Sequence, residues 1–152
     1  MWTQTLEVLV LVSAGLVTGV LVTGAVALVP CFRALPPDRY VEVHQLLDRR
    51  IDPMMPILVV ISSALALILT FVAGGTTRSL LFAVGSILMA GVAVVSVSTA
   101  VPLLRRHVRK VDPADLPADW YDLRRPWRAW HLIRTLLAVA SLLAIASASV
   151  AT

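Results

Sequence analysis

Cysteine is almost missing from this chain, and Cys31 is the one example in 152 residues. A single thiol excludes an intrachain disulfide framework and any metal site built from several cysteines. It is expected to behave as a passive, small hydrophobic group at a helix end. Charge is scarce as well: Asp, Glu, Lys and Arg make up 14% of the residues, against roughly 25% in soluble domains. No Lys or Arg precedes Arg33, so the opening apolar run lacks the basic start of a secretory signal. It also outlasts the roughly 7–15 apolar residues of a signal core, and is expected to be a retained helix. No Ser-His-Asp order, phosphate-binding glycine loop, HExxH spacing or internal repeat occurs. Hydrolase, nucleotide-driven pump and repeat-built carrier readings are therefore without support.

What the chain does contain is apolar. Hydrophobic residues reach 59% and the mean hydropathy is +0.88, more than a soluble core of this length could bury. The sequence predicts an all-α integral membrane four-helix bundle, a single transmembrane domain over residues 1–152. Four segments suffice for the about 20 residues that a bilayer crossing takes: about 8–29, 54–73, 79–104 and 127–150. Pro30 is expected to stop the first, Gly74 and Gly75 the second, and Pro102 falls in the last turn of the third.

A pI near 10.2 would suggest nucleic acid in a soluble protein. Here the basic residues fall almost wholly in two loops, which reads as membrane topology and not as nucleic-acid binding. Arg33, Arg39, Arg49 and Arg50 occupy the first loop; Arg105, Arg106, Arg109, Lys110, Arg124 and Arg125 the second, with Arg128 at its edge. The positive-inside rule then places both long loops in the cytoplasm and both chain ends outside. Trp2, Trp120, Trp127 and Trp130 fall near the expected interfaces, as an aromatic belt requires.

Residues 36–56, PPDRYVEVHQLLDRRIDPMMP, form a distinct element between the first two spans. Prolines open and close it, predicting an interfacial helix over about 38–52. At 100° per residue Tyr40, His44, Leu47 and Ile51 share one face, with Glu42, Gln45 and Arg49 opposite. Residues 112–126, with three prolines and four aspartates, read as a loop. Gly15, Gly19 and Gly24 make a small-residue track, matched by Ala138, Ser141, Ala144 and Ala148 in the last helix. Such tracks mark close helix contacts in lipid. The track is expected to pack within the chain, with a homo-oligomer through Gly15 and Gly19 as the alternative.

The last span, WRAWHLIRTLLAVASLLAIASASV, carries two polar residues where lipid should be. Trp127, His131 and Arg134 are spaced four and three apart and line one side of the helix. A charge at a helix centre costs roughly 2.5–3.5 kcal/mol on insertion scales, and less near an end. Arg134 either snorkels to lipid phosphates or turns inward, where its planar fork suits an anion or a ligand oxygen. His44 and His131 fall at the same bundle mouth, where a pair could shuttle protons or hold a metal or haem. Asp52 and Tyr40 are close enough in sequence to complete a pocket. His107, inside RRHVRK, reads as a solvated member of a charge run, and Glu7 as an interfacial residue at the outer end.

The stretch VPCFRALPPDRYVEVHQLLDRRIDPMMP, the four-helix hydropathy and the late W-x-x-W-H-x-x-R resemble the anthrone oxygenase-like family of small membrane proteins. That family includes fungal and bacterial polyketide-tailoring proteins. The resemblance implies oxygen insertion into a small hydrophobic aromatic such as an anthrone, with His44, His131 and Arg134 at the matching polar positions. Tyr40, Trp127 and Trp130 are the candidate substrate contacts. The cofactor stays open, either none or a haem or metal ion held by His44, His131 or both. Two alternatives remain: a haem- or metal-binding redox membrane protein of other chemistry, and a non-enzymatic scaffold or assembly partner.

Overall fold

Proline governs the two longest helices without ending either. In the computed structural model, which describes residues 2–151, the first helix α1 runs unbroken over Trp2–Ala34 and passes straight through Pro30. Met1 and Thr152, the outermost positions of the expected domain, lie outside the described residues. Pro30 has no N–H, and its ring would press on the carbonyl four residues back. The chain answers with one wide turn, Gly24–Leu28, in which Val29 N–H bonds to the Gly24 carbonyl five residues earlier. The same device recurs before Pro102: in the turn Ser96–Ala100, Val101 N–H bonds to the Ser96 carbonyl. The expected stop at Pro30 is thereby corrected, and Pro102, expected in the last turn, is likewise passed; each widened turn takes up the ring and the helix continues.

The other elements are α2 (Pro37–Ile51), α3 (Met54–Val72), α4 (Thr76–Arg109) and α5 (Arg124–Val150). Among the described residues there is no strand. Helix α4 runs five residues past the expected end, so Arg105 to Arg109 are helical and not loop. Leu104 and Val108 on its inner side are buried, and that packing carries the helix through the basic run. Gly74 and Gly75 make the tight turn between α3 and α4 with φ of 72° and 76°, a region side chains avoid.

Helices α1, α3, α4 and α5 are the four long and apolar enough to cross a membrane. They pack in a ring, α1 on α3, α3 on α4, α4 on α5 and α5 back on α1. Val10, Val17, Leu69, Phe82, Met89 and Ile145 fill the interior. Phe71, Leu80, Ile87 and Val97 point outward, exposed. In water that belt would forfeit about 25 cal/mol per Å² of apolar surface; in lipid it costs nothing. Gly15 and Gly19 have no atom within 4 Å of where a Cβ would sit, so the expected intrachain contact at these two is not made. Of the small track only Gly24 touches another helix, while Ser141 of α5 donates to the Gly85 carbonyl of α4 at 2.7 Å.

The two ends of the bundle are locked by different means. At one, Arg78 Nη2 meets Glu7 Oε1 at 2.5 Å, while Arg78 also donates to the Ala73 and Ala148 carbonyls. Glu7 is thus a bonded helix clamp, not a merely interfacial group. At the other end a second apolar cluster, with Val29, Phe32, Tyr40, Val41, Leu104, Val108, Leu123 and Trp127, seals α2 against the bundle.

Candidate functional site

Helix α2 is held in place by polar contacts to the end of α4. Gln45 Nε2 donates to the carbonyls of Val108 and Val111, both at 2.8 Å. Arg109 Nε meets Asp48 Oδ2 at 2.5 Å, and its Nη2 lies 2.7 Å from Asp52 Oδ2. Gln45, expected on the solvent face, thus turns to the bundle because the carbonyls at and just past the end of α4 need donors. Burial holds the Asp48 carboxyl above its ordinary range in spite of Arg109. Asp52 is drawn into this clamp and not into a pocket with His131.

So fixed, α2 presents three side chains inward: Tyr40, Val41 and His44 are buried. The His44 ring stacks on Phe32 of α1, centroids 4.8 Å apart and planes at 20°. It meets Tyr40 edge-on at 5.3 Å and Trp127 of α5 edge-on at 5.1 Å. Trp127 in turn lies 5.0 Å from the His131 ring. Tyr40, His44, Trp127 and His131 therefore follow one another ring to ring, from the interfacial helix into the bundle. Burial first, then the Arg109 charge and then His131, lowers the His44 pKa to about 4. The ring is neutral at physiological pH. Burial also raises the Tyr40 phenol, which stays protonated.

Arg124 roofs this chain. Its Nη1 donates to the Phe32 carbonyl at 3.2 Å and the Leu35 carbonyl at 2.7 Å. Its guanidinium carbon sits 5.4 Å from the Tyr40 ring centroid, and Asp122 holds its far side. Sequence counting sees Arg124 only as a loop charge; its task of capping the end of α1 depends on contacts 89 and 92 residues away. Trp120 closes the same side, donating from Nε1 to the His107 carbonyl at 2.9 Å. His107 itself is half-buried with its ring edge-on to Tyr121 at 5.8 Å, so it is packed and not merely solvated.

His131 and Arg134 form the inner end. His131 Nε2 lies 2.9 Å from the Leu21 carbonyl and Arg134 Nη2 lies 3.1 Å from His131 Nδ1. A carbonyl only accepts and a guanidinium only donates, so Nε2 carries the proton and Nδ1 its lone pair. Arg134 Nη1 reaches Ser96 Oγ at 3.2 Å. The guanidinium therefore turns inward and does not snorkel. Among the described residues it makes no ion pair, and its Nε is buried without a partner. The two widened turns that precede prolines meet here, since Gly24 lies against the His131 ring and Ser96 opens the first wide turn of α4.

Four of the side chains in this row hold a buried polar atom with no hydrogen-bond partner: Tyr40 Oη, His44 Nδ1, Trp127 Nε1 and Arg134 Nε. Folded proteins pair nearly all such atoms, which sets this cluster of orphans apart as the candidate site. Trp130 is half-buried one position ahead of His131, and no ring contact joins it to this row. Cys31 is exposed near the end of α1.

The donors do not suit a metal ion or a haem held by both histidines. Each His131 nitrogen is already bonded, which leaves it no lone pair to give. His44 offers Nδ1, and no group of three His, Cys, Asp or Glu gathers among the described residues.

Comparison with known proteins accords with this architecture. The family model described as anthrone oxygenase matches residues 44–144, a stretch that opens on His44 and takes in Ser96, Trp127, His131 and Arg134. No curated protein and no solved structure matches the chain.

Proposed function

Since the chain belongs to the anthrone oxygenase family, and an oxygenase-like role in general follows, we propose that it oxygenates a small hydrophobic aromatic of the anthrone type. The observation that carries this reading is the set of orphaned polar atoms on Tyr40, His44, Trp127 and Arg134. They lie along a row of packed aromatic rings, the kind of surface that a flat, apolar molecule bearing few oxygens pairs with.

The ring CH2 of an anthrone lies next to two arenes and across from a ketone, so losing a proton gives an aromatic enolate. His44 takes that proton at Nδ1. Arg134 bonds the enolate oxygen through its free Nε, an electrostatic clamp in a water-poor site. His131 is a positioning residue that holds the guanidinium through Nδ1. The enolate then gives its electrons to dioxygen at the carbon that lost the proton. A hydroperoxide forms there, and loss of water leaves the second ketone of a quinone. The balance is one CH2 and one O2 to one C=O and one H2O. Tyr40, Trp127 and Trp130 form the aromatic surfaces for the substrate, which enters from the bilayer.

A base near pKa 4 is weaker than the near-neutral one that best suits proton abstraction. The reading therefore assigns most of the driving force to Arg134, which lowers the acidity demand by stabilising the enolate. In the same proposal the two basic loops face the cytoplasm, and the outward Gly15–Gly19 face serves any homo-oligomer.

The test is oxygen uptake and quinone formation by detergent-purified protein supplied with anthrone. Equal amounts of O2 consumed and quinone formed, lost on Arg134→Gln and strongly reduced on His44→Gln, support the reading. Turnover no faster than the spontaneous oxidation of anthrone, or full activity in both variants, overturns it.

A further inference from the structure

The outer face of the last turns of α4 holds a groove of about 500 Å³ lined by Val97, Val101, Pro102, Arg105, Arg106 and Lys110. These six fall in two rows at spacings of four, Val97–Val101–Arg105 and Pro102–Arg106–Lys110, so they run side by side along one helix surface. Each row starts apolar and ends cationic. The fourteen residues from Val97 to Lys110 span about 20 Å at helical rise, about two thirds of the roughly 30 Å hydrocarbon core.

The cations at the charged end are free. Arg105, Arg106 and Lys110 are exposed, and none joins an ion pair among the described residues. Arg109, the next position along the Val97–Val101–Arg105 row, is used up by Asp48 and Asp52. At the apolar end Val97 is 71% exposed. Three unpaired cations beside an apolar strip on a membrane-facing helix match one kind of molecule, which carries a phosphate at one end and hydrocarbon at the other. We infer that this groove binds an anionic phospholipid, its phosphate between Arg105, Arg106 and Lys110 and one acyl chain along Val97, Val101 and Pro102. A general basic loop would draw such lipids diffusely; ordering by the helical extension to Arg109 makes this a defined site. The same segment anchors α2 through Arg109 and the Val108 carbonyl, so an occupied groove steadies the helix end on which α2 rests.

The experiment uses the full chain in nanodiscs of phosphatidylcholine, with or without phosphatidylglycerol. Thermal unfolding and native mass spectrometry of retained lipid are the readouts. Phosphatidylglycerol is expected to raise the unfolding midpoint by about 2–4 °C and to stay bound on release from the disc. The triple variant Arg105→Gln, Arg106→Gln, Lys110→Gln should lose both effects, while Arg49→Gln with Arg50→Gln keeps them. Equal loss in the Arg49/Arg50 variant would mean diffuse charge attraction and overturn the site. An equal rise from dissolved glycerol phosphate would make the occupant a free phosphate ester, and overturns the lipid. Should the triple variant melt early in phosphatidylcholine alone, lipid retention on Arg105→Gln and on Lys110→Gln decides, and retention equal to that of the unaltered protein overturns the proposal.

Discussion

Gly24 and His131 occupy adjoining space so closely that a Cβ on Gly24 would lie 2.5 Å from His131 Nε2. The missing side chain lets an imidazole inside the bundle reach the Leu21 carbonyl. Gly24 also opens the wide turn of α1, so one residue serves the helix geometry and the placing of His131 together. Thr135 Oγ1 approaches the same carbonyl at 3.3 Å, which makes Leu21 the acceptor on which the polar face of α5 rests.

Gly24→Ala should therefore push the imidazole off its acceptor. We expect a loss of about 1–3 kcal/mol in stability from overpacking, and a larger loss of activity because Arg134 depends on His131 Nδ1. Gly19→Ala, with nothing within 4 Å of its Cβ, should change neither. Thermal unfolding and initial rates of the two variants, measured side by side, check this. Equal behaviour would remove the argument for a close approach at Gly24.

Arg134→Gln separates chemistry from structure. A buried cation with no carboxylate against it is a weak contributor to stability, so the variant should unfold within about 1 kcal/mol of the original. Its kcat should fall by about 10²–10³, the usual effect of removing one donor to a developing oxyanion. A large fall in stability with rates intact would make Arg134 a structural residue.

His44 gives a pH signature with a definite sign. Its folded pKa of about 4 lies below the ordinary 6.5. Between those values the unfolded chain binds a proton that the folded chain refuses. Its effect is absent above about pH 6.5, and stability drops as pH falls toward 4, by about 3 kcal/mol in all. Replacing His44 by Gln should flatten that slope in denaturation series at pH 4–7. The acid limb of kcat/KM should likewise lie near pH 4. A limb at 6.5 would mean that the catalytic base is another group.

Arg109→Gln should undock α2 without touching substrate. It strands Asp48, whose carboxylate is 16% exposed, and we expect about 1–3 kcal/mol of destabilisation together with reduced activity. Pairing it with Asp48→Asn should restore part of both, since no unpaired charge then remains. Limited proteolysis near residues 37–51 reads the docking directly. No rise in cleavage in the single variant would show that the apolar cluster alone holds α2.

Much of this was legible from the chain, for reasons that differ by element. The four spans follow from hydropathy, because each must satisfy its own backbone in lipid and only an apolar helix can. The His44 face of α2 follows from a period of 3.6, and the His131–Arg134 pair from the high cost of polarity at that depth. By themselves these residues determined a four-helix membrane bundle and a polar patch at one mouth of it. The end of α1 was not legible, because a proline reads locally as a stop and only a widened turn shows that it is not; nor was that of α4, because a basic run reads locally as loop. Nor was the inward turn of Arg134, since snorkelling and burial share one sequence. That choice needed Ser96, 38 residues away, and a histidine already tied to Leu21 from 110 residues off. Hydropathy and periodicity are sums over neighbours in the chain and are written in it. Which donor meets which acceptor depends on contacts between distant segments, and only the packed bundle decides them.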